Sequence, residues 1–263
     1  MHRLFTTVCI LMSILAGGCD IDDVATAPAG TALKVVSTVD LSGVPEPSGL
    51  ALDNDGIHFW TVSDQTGNLY RLAANGVVVA TYELNGEDLE GVAVDPRDGS
   101  LLVVEERAGT VIHLNRNGQE IERWTPSGLP DMANSGLEGV VVEPQTGHIF
   151  LLKEKSPGLL IEMNRQGAVV ASHELDFASD FSGLCLAADQ RSLIVLSDQS
   201  ASATWCDFWG QPTRTLATGL DKGEGLTINP SGTRIFAVSD RLSTLTTFEL
   251  PVFDPVTKHA RER

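Results

Sequence analysis

Short apolar runs, each opened by a small or acidic residue and a glycine, return along the chain. They read PSGLAL at Gly49, LEGVAV at Gly91, LEGVVV at Gly139, FSGLCL at Gly183 and GEGLTI at Gly225. The glycines are spaced by 42, 48, 44 and 42 residues, the interval of one four-stranded propeller blade. Fifteen residues after each glycine an acid ends a second apolar run: Asp64 in TVSDQTG, Glu106 in VVEERAG, Glu154 in LLKEKSPG, Asp198 in VLSDQS and Asp240 in AVSDRLS. Each unit continues in short apolar or alternating stretches such as LYRLAANGVVVATYEL, where Asn75-Gly76 supplies a hairpin turn between two strands. No stretch after the first thirty residues carries a helical period of comparable strength.

The two ends of the repeat explain each other. ALKVVSTVDLSGVPEPSGLAL at 32–52 lines up with NGVVVATYELNGEDLEGVAV at 75–94, so Leu33 to Leu41 is an outer strand with no inner strands before it. The last unit has inner strands from Gly225 to Leu250 and lacks a clear fourth. Circular closure satisfies both ends and removes a sheet seam. The expectation is an all-β chain, a five-bladed β-propeller over residues 32–250 closed by its N-terminal strand, with 251–263 as a C-terminal tail. The prolines of that tail make it the weaker claimant to the closing strand.

The leader changes the picture of where the domain works. MHRLFTTVCILMSILAGGCD has a basic start, an apolar run from Leu4 to Leu15 and small residues before Cys19, the layout of an export signal. LAGGC resembles a bacterial lipobox, departing from it at Ala16, and this implies cleavage after residue 18 and lipid on Cys19. An ordinary secretory signal cut near Gly18 is the alternative. Residues 19–31 then form a lipidated tether, acidic and turn-rich. The expected location is the periplasmic face of a membrane in a bacterial envelope. Asp20 after the cysteine resembles an inner-membrane retention signal.

Two cysteines remain in the domain, Cys185 and Cys206. Their places on the first and third strands of the fourth blade leave a gap of roughly 9 to 10 Å, beyond disulfide reach, so two buried thiols are expected. The net charge of −17 excludes nucleic acid as a partner, since that affinity rests on basic residues, and it favours cations or basic partners.

In a propeller hairpin the start of the first strand and the end of the second share one rim. The residues before the repeat glycines, Ser48, Glu90, Glu138, Ser182 and Glu224, therefore join Asp64, Glu106, Glu154, Asp198 and Asp240 around one channel mouth. Eight of these ten are acidic. Where the first position is serine an acid stands two residues earlier, Glu46 and Asp180, and the nearby bases Arg107, Lys153, Lys155, Lys222 and Arg241 are too few to pair every carboxylate. Crowded carboxylates raise their pKa values or recruit a cation, and oxygen ligands without histidine or cysteine suit calcium or magnesium, calcium best. An aspartate in SDQTG also suits a turn for folding reasons alone. Glutamate does not, which points to Glu90, Glu138 and Glu224.

EPSGLAL, VSDQTGNLYRL, DLEGVAV and LLVVEERAG, followed by GLEGV and GEGL, resemble the bacterial SdiA-regulated family, which includes calcium-regulated propeller proteins. The resemblance covers nearly all of the chain after its leader. It implies a five-bladed propeller distantly related to NHL-repeat propellers, a calcium site on the fold, and no firmly established enzymatic activity. The Glu-Gly pair further resembles the metal-ligand position of calcium-dependent lactonase propellers, a pattern from which Ser48 and Ser182 depart.

Three functions are open to such a chain. The first is a tethered calcium-binding or calcium-response module, with a protein or small molecule as ligand at the mouth. A metal-dependent hydrolase, lactonase or phytase-like, is the second. The third is a metal-free interaction scaffold, for which WCDFWG at 205–210 offers a loop unlike the other repeats.

Overall fold

The computed structural model describes residues 31–251 apart from 131, 133 and 134. Residues 1–30, where the export signal, Cys19 and nearly all of the tether are expected, and the tail from 252 onward lie outside the described residues.

Twenty strands form five four-stranded antiparallel sheets. Blade one is β2 (Pro47–Leu52), β3 (Phe59–Ser63), β4 (Asn68–Leu72) and β5 (Val78–Glu83). Blade two is β6 (Leu89–Val94), β7 (Leu101–Glu105), β8 (Thr110–Leu114) and β9 (Glu120–Trp124). Blade three is β10 (Leu137–Val142), β11 (Ile149–Lys153), β12 (Gly158–Met163) and β13 (Val169–Leu175). Blade four is β14 (Gly183–Leu186), β15 (Leu193–Ser197), β16 (Ser202–Cys206) and β17 (Pro212–Ala217). Blade five takes β18 (Gly223–Ile228), β19 (Arg234–Ser239) and β20 (Thr244–Glu249) from the end of the chain and its outer strand, β1 (Lys34–Asp40), from the beginning. The N-terminal strand closes the ring as the repeat requires. Asn75 and Gly76 make the expected turn, with Gly76 at φ +82 and its N–H donating to Ala73 O over 2.9 Å.

Five hydrophobic cores, one between each pair of neighbouring blades, hold the ring together. Second strands such as β7 and β11 are buried on both faces and read as unbroken apolar runs, whereas outer strands such as β5 and β13 alternate between half-buried and exposed. The closing strand serves two seams. Leu33 enters the core between blades four and five, and Leu41 the core between five and one.

Cys185 and Cys206 are buried free thiols. They are separated by β15 and lie in cores on opposite faces of blade four, so no disulfide joins them. Burial pushes both thiols up, that of Cys206 to about 12. The WCDFWG segment divides: Phe208 stacks on Phe150 at 5.0 Å, the Arg214 guanidinium lies 4.6 Å from the Trp205 ring centre, and Trp209 is exposed.

The repeat glycines meet at the axis. A Cβ on Gly49 would lie 3.0 Å from Gly91 Cα, one on Gly91 2.9 Å from Gly139 Cα, and one on Gly225 2.6 Å from Gly49 Cα. Only glycine lets the inner strands approach this closely. The ring of glycines leaves about 10 Å³ at the waist of the channel, which separates two mouths. One is a cavity of about 270 Å³ lined largely by aliphatic side chains such as Leu52, Val94 and Leu186. The other is acidic.

Candidate metal centre

The acidic mouth is a cavity of about 280 Å³, and all ten repeat positions line it. Each hairpin supplies two of them because the pairing of the first two strands brings their ends together: Leu89 faces Glu105, Leu137 faces Lys153 and Gly223 faces Ser239. A β-bulge then sets the aim. In blades two, three and five the register shifts between Leu89 and Gly91, Leu137 and Gly139, Gly223 and Gly225. The residue left off the ladder in each is the glutamate, Glu90, Glu138 or Glu224. A bulge re-aims a side chain, and here it sends three carboxylates to the channel axis.

The serines that break the pattern hold the ring by hydrogen bonds. Ser182 Oγ donates to Gly223 O of the next blade over 2.7 Å, and Ser48 donates to the Glu90 carboxylate.

The second-position acids do not cap their turns. In blades one, four and five that task falls to the preceding serine: Ser63 Oγ accepts from Thr66 N at 3.1 Å, Ser197 Oγ from Ser200 N at 3.1 Å and Ser239 Oγ from Leu242 N at 3.4 Å. The side chains of Asp64, Asp198 and Asp240 are left to the cavity. Glu106 Oε1 accepts one backbone N–H, from Gly136 at 3.2 Å. Asp180 is committed to Ser197 Oγ at 2.5 Å and Gln199 N at 3.1 Å.

The bases are spent as follows. Arg107 pairs with Asp88 at 2.7 Å and lies 3.7 Å from Glu106, Lys155 pairs with Glu154, Lys222 lies between Glu224 and Asp198, and Arg241 is drawn to Asp221. Lys153 is buried and donates to Ser135 Oγ at 2.7 Å, Lys155 O and Pro157 O.

Glu138 receives nothing. It is 7% exposed, and among the described residues no hydrogen bond or ion pair reaches its carboxylate. Burial first, then Glu90, Glu106 and Glu154, hold its pKa well above the usual carboxylate range. Burial together with Asp64 pushes Glu90 up to about 8. Burial raises Glu224 to about 7 although Lys222 opposes it. Carboxylate oxygens of Glu106, Glu138 and Glu154 lie within 4.8 Å of one another, so one ion placed among them would touch all three.

The bulged strand start was within reach of sequence reasoning, since a lone glycine inside a strand pattern signals a bulge or a close backbone approach. A third repeat position carried no such signal. Three residues before each glycine stand Glu46, Asp88, Gly136, Asp180 and Lys222. In four blades the backbone carbonyl of that residue accepts the N–H of the second-position acid, as in Glu106 N to Asp88 O at 2.9 Å and Asp240 N to Lys222 O at 3.1 Å. This clamp ties the entry loop to the hairpin end and fixes both carboxylates of a blade relative to each other.

Fold and site together define a five-bladed β-propeller whose one mouth is a ring of carboxylates. The SdiA-regulated family model matches residues 32–243, and the chain belongs to that family. Two solved structures are similar in fold alone. The β-propeller domain of Myceliophteria thermophila Cps50 (Swd1) has a TM-score of 0.50 at 12% identity, covering 86% of this chain and 70% of that one. The structure of streptogramin B lyase has a TM-score of 0.51 at 16% identity, covering 86% and 76%. No curated protein matches the sequence.

Proposed function

We propose that the acidic mouth binds a divalent cation, calcium in preference to magnesium, and that the protein is a lipid-tethered binding or calcium-response module of a bacterial envelope. The observation that carries the cation is Glu138, a buried carboxylate with no donor among the described residues, gathered with Glu106 and Glu154 around one point. A buried charge without a partner is costly, and a cation among three carboxylates removes that cost. Calcium takes six to eight oxygens in a tolerant geometry, whereas magnesium demands a near-ideal octahedron. Glu90, Asp64, Glu224, Asp198 and Asp240 ring the same cavity and supply further oxygens or counter-charge. The tether reading is supported by the leader and by Cys19. Histidine is absent from the described residues lining the mouth, and His58, His113 and His148 pair with Asp55, Glu122 and Glu162 elsewhere, so a hydrolase there would draw its base from the carboxylates, as in Glu90 or Glu224.

The test is thermal melting in chelator, calcium and magnesium, beside Glu138→Gln. Calcium at about 100 times its dissociation constant stabilises by about 2.7 kcal/mol, roughly 5 to 10 °C for a chain of this size. A calcium-selective rise that Glu138→Gln removes is the expected result. Equal melting in all three media overturns the cation reading and leaves the mouth as a site for a protein partner.

A further inference from the structure

The turns at the end of the ring opposite the carboxylates also repeat, and the repeat shows what each turn needs. Between the third and fourth strands of blades one to four a glycine N–H donates to the carbonyl three residues back, as Gly76 does to Ala73 at 2.9 Å and Gly210 to Asp207 at 3.0 Å. The residue before that glycine is Asn75, Asn117 and Gln166 in blades one to three, and Trp209 in blade four. Trp209 N donates to Asp207 Oδ1 at 2.9 Å, a bond that any residue with an N–H can make, so the turn is complete without an indole. The neighbouring Phe208 is accounted for by its stacking on Phe150. Trp209 instead stands 64% exposed at the tip of the turn.

Blade one makes a like exception in its other turn at this end. The residue two before the second strand is Gly99, Gly147 and Arg191 in blades two to four, and Ile57, 62% exposed, in blade one. Single exposed apolar side chains are ordinary; their distribution here is not. Among the described residues nine large apolar side chains are exposed, and only Leu242 lies in a turn on the acidic side. Ile57, Val77 and Trp209 occupy turns of the opposite end, and the other five, such as Val36 and Val79, open outer strands at that end. Six of these eight belong to blades four, five and one, which are neighbours in the ring.

Blade five, in the middle of this sector, is where the chain enters and leaves the ring. Lys34 stands opposite Glu249, Glu249 opposite Arg234, and Ile235 opposite Ile228, which lines the aliphatic mouth. So β1 begins and β20 ends at the end of the molecule that carries Trp209 and Ile57. The sequence after β20 holds Lys258, Arg261 and Arg263. Before β1, Cys19 is twelve residues from Thr31, a reach of roughly 40 Å at full extension, so lipid on that cysteine would keep the ring within that distance of a bilayer.

We infer that the sector of blades four, five and one at this end is a lipid-docking surface, with Trp209 and Ile57 entering the headgroup region of a bilayer. The aliphatic mouth is turned toward the lipid and the carboxylate mouth toward the aqueous side. Tryptophan suits this depth because its apolar body meets the acyl boundary while its N–H meets the headgroups. The basic residues after β20 are drawn to an anionic leaflet. The carboxylates, which such a leaflet repels, lie beyond the waist of the channel at the other end. The orientation rests on the proposed tether; the surface stands on its own residues.

Vesicles of phosphatidylethanolamine and phosphatidylglycerol with brominated acyl chains test this, because bromine quenches only the tryptophans that come close to it. The full chain, as a bacterial host processes it, is reconstituted with them beside Trp209→Phe, and mass spectrometry reads whether Cys19 carries lipid. An exposed aromatic exchange of this kind leaves the fold intact, as circular dichroism would verify. The expected result is a partial loss of tryptophan emission in the natural chain that Trp209→Phe abolishes. Equal quenching in both proteins means that another tryptophan, and so another face, meets the lipid, and overturns the inference. No quenching in either, with lipid present on Cys19, overturns the inference, leaves the tether standing and turns the search on this face toward a protein partner. Quenching through Trp209 without lipid on Cys19 supports the inference and overturns the tether. Neither quenching nor lipid overturns both.

Discussion

Glu138 and Glu90 are carboxyls placed where water and donors are scarce, and this fixes how metal-free stability must vary with pH. A carboxyl whose folded pKa lies above its unfolded value contributes fully below the unfolded value and loses that contribution as pH rises through the folded one. For Glu90 the window runs from 4.5 to about 8, and for Glu224 from 4.5 to about 7. In chelator the melting temperature should therefore fall between pH 5 and 8, and in saturating calcium, which holds the carboxylates ionised, that fall should vanish or reverse. Asp55 works in the opposite sense and in another range. Burial there opposes, but hydrogen bonds from His58 and Ile57 bring it down to about 2, so its contribution is lost only as pH drops from 3.8 toward 2. Glu138→Gln, which removes the ionisable group at constant shape, should raise metal-free stability at pH 8 by about 1 kcal/mol, or roughly 2–4 °C; a variant melting below the natural chain in chelator would show that the carboxylate has a structural partner after all. At this scale the sequence disclosed which residues meet, because a fixed offset of fifteen residues needs only a hairpin to become proximity. It did not disclose which of them is unpartnered, since that depends on where Arg107, Lys155 and Lys222 turn, and long basic side chains leave no periodic trace.

In blades two, three and five the inner strand performs two tasks at its glycine: the bulge before it aims a glutamate along the axis, and the missing Cβ lets the next blade approach. The two tasks separate experimentally. Gly225→Ala puts a Cβ 2.6 Å from Gly49 Cα and 2.6 Å from Leu50 N, both backbone atoms that cannot rotate away, so it should destabilise by about 1–3 kcal/mol or more as an overpacking change. Gly56→Ala is the comparison. Gly56 has φ +69 and nothing within 4 Å of a Cβ, so that change costs only backbone strain, about 1 kcal/mol. Chemical denaturation of the two variants should place Gly225→Ala clearly lower; equal losses would mean that the inner ring yields and that the glycines are kept for conformation alone. The glycines were legible as a repeat, and the blade count followed from their spacing. The bulge leaves only the glycine itself as a trace, because the apolar alternation on either side of Glu90 or Glu138 otherwise reads as one uninterrupted strand.

Closure is the property that belongs to the whole molecule. The leading strand β1 pairs with β20, so that Thr38 stands opposite Thr246 with their hydroxyl oxygens 3.2 Å apart, across 208 residues of chain. The pairing was visible in the sequence only by subtraction, as one outer strand without inner partners and one set of inner strands without an outer one. Everything else about the ring depends on it: with β1 displaced, Leu33 and Leu41 leave two of the five inter-blade cores, and β20 becomes a bare edge open to other chains. The carboxylate ring depends on it too, because Asp240 and Glu224 are held to Asp64 and Glu46 only across the seam between blades five and one. Residues directly opposed in an antiparallel pair have Cα atoms about 4.5–5.5 Å apart, within disulfide range. A Thr38→Cys, Thr246→Cys pair should therefore oxidise readily and stabilise by about 2–4 kcal/mol, the gain expected from closing so long a loop. Melting of the oxidised and reduced forms of that one protein isolates the effect of closure from that of the substitutions. A difference near zero would mean that strain imposed on the folded seam by the bridge offsets the gain from closing the loop. A large difference in chelator that shrinks in calcium would tie the metal to closure, with the cation holding the blades together from the mouth while the strand pair holds them from the rim.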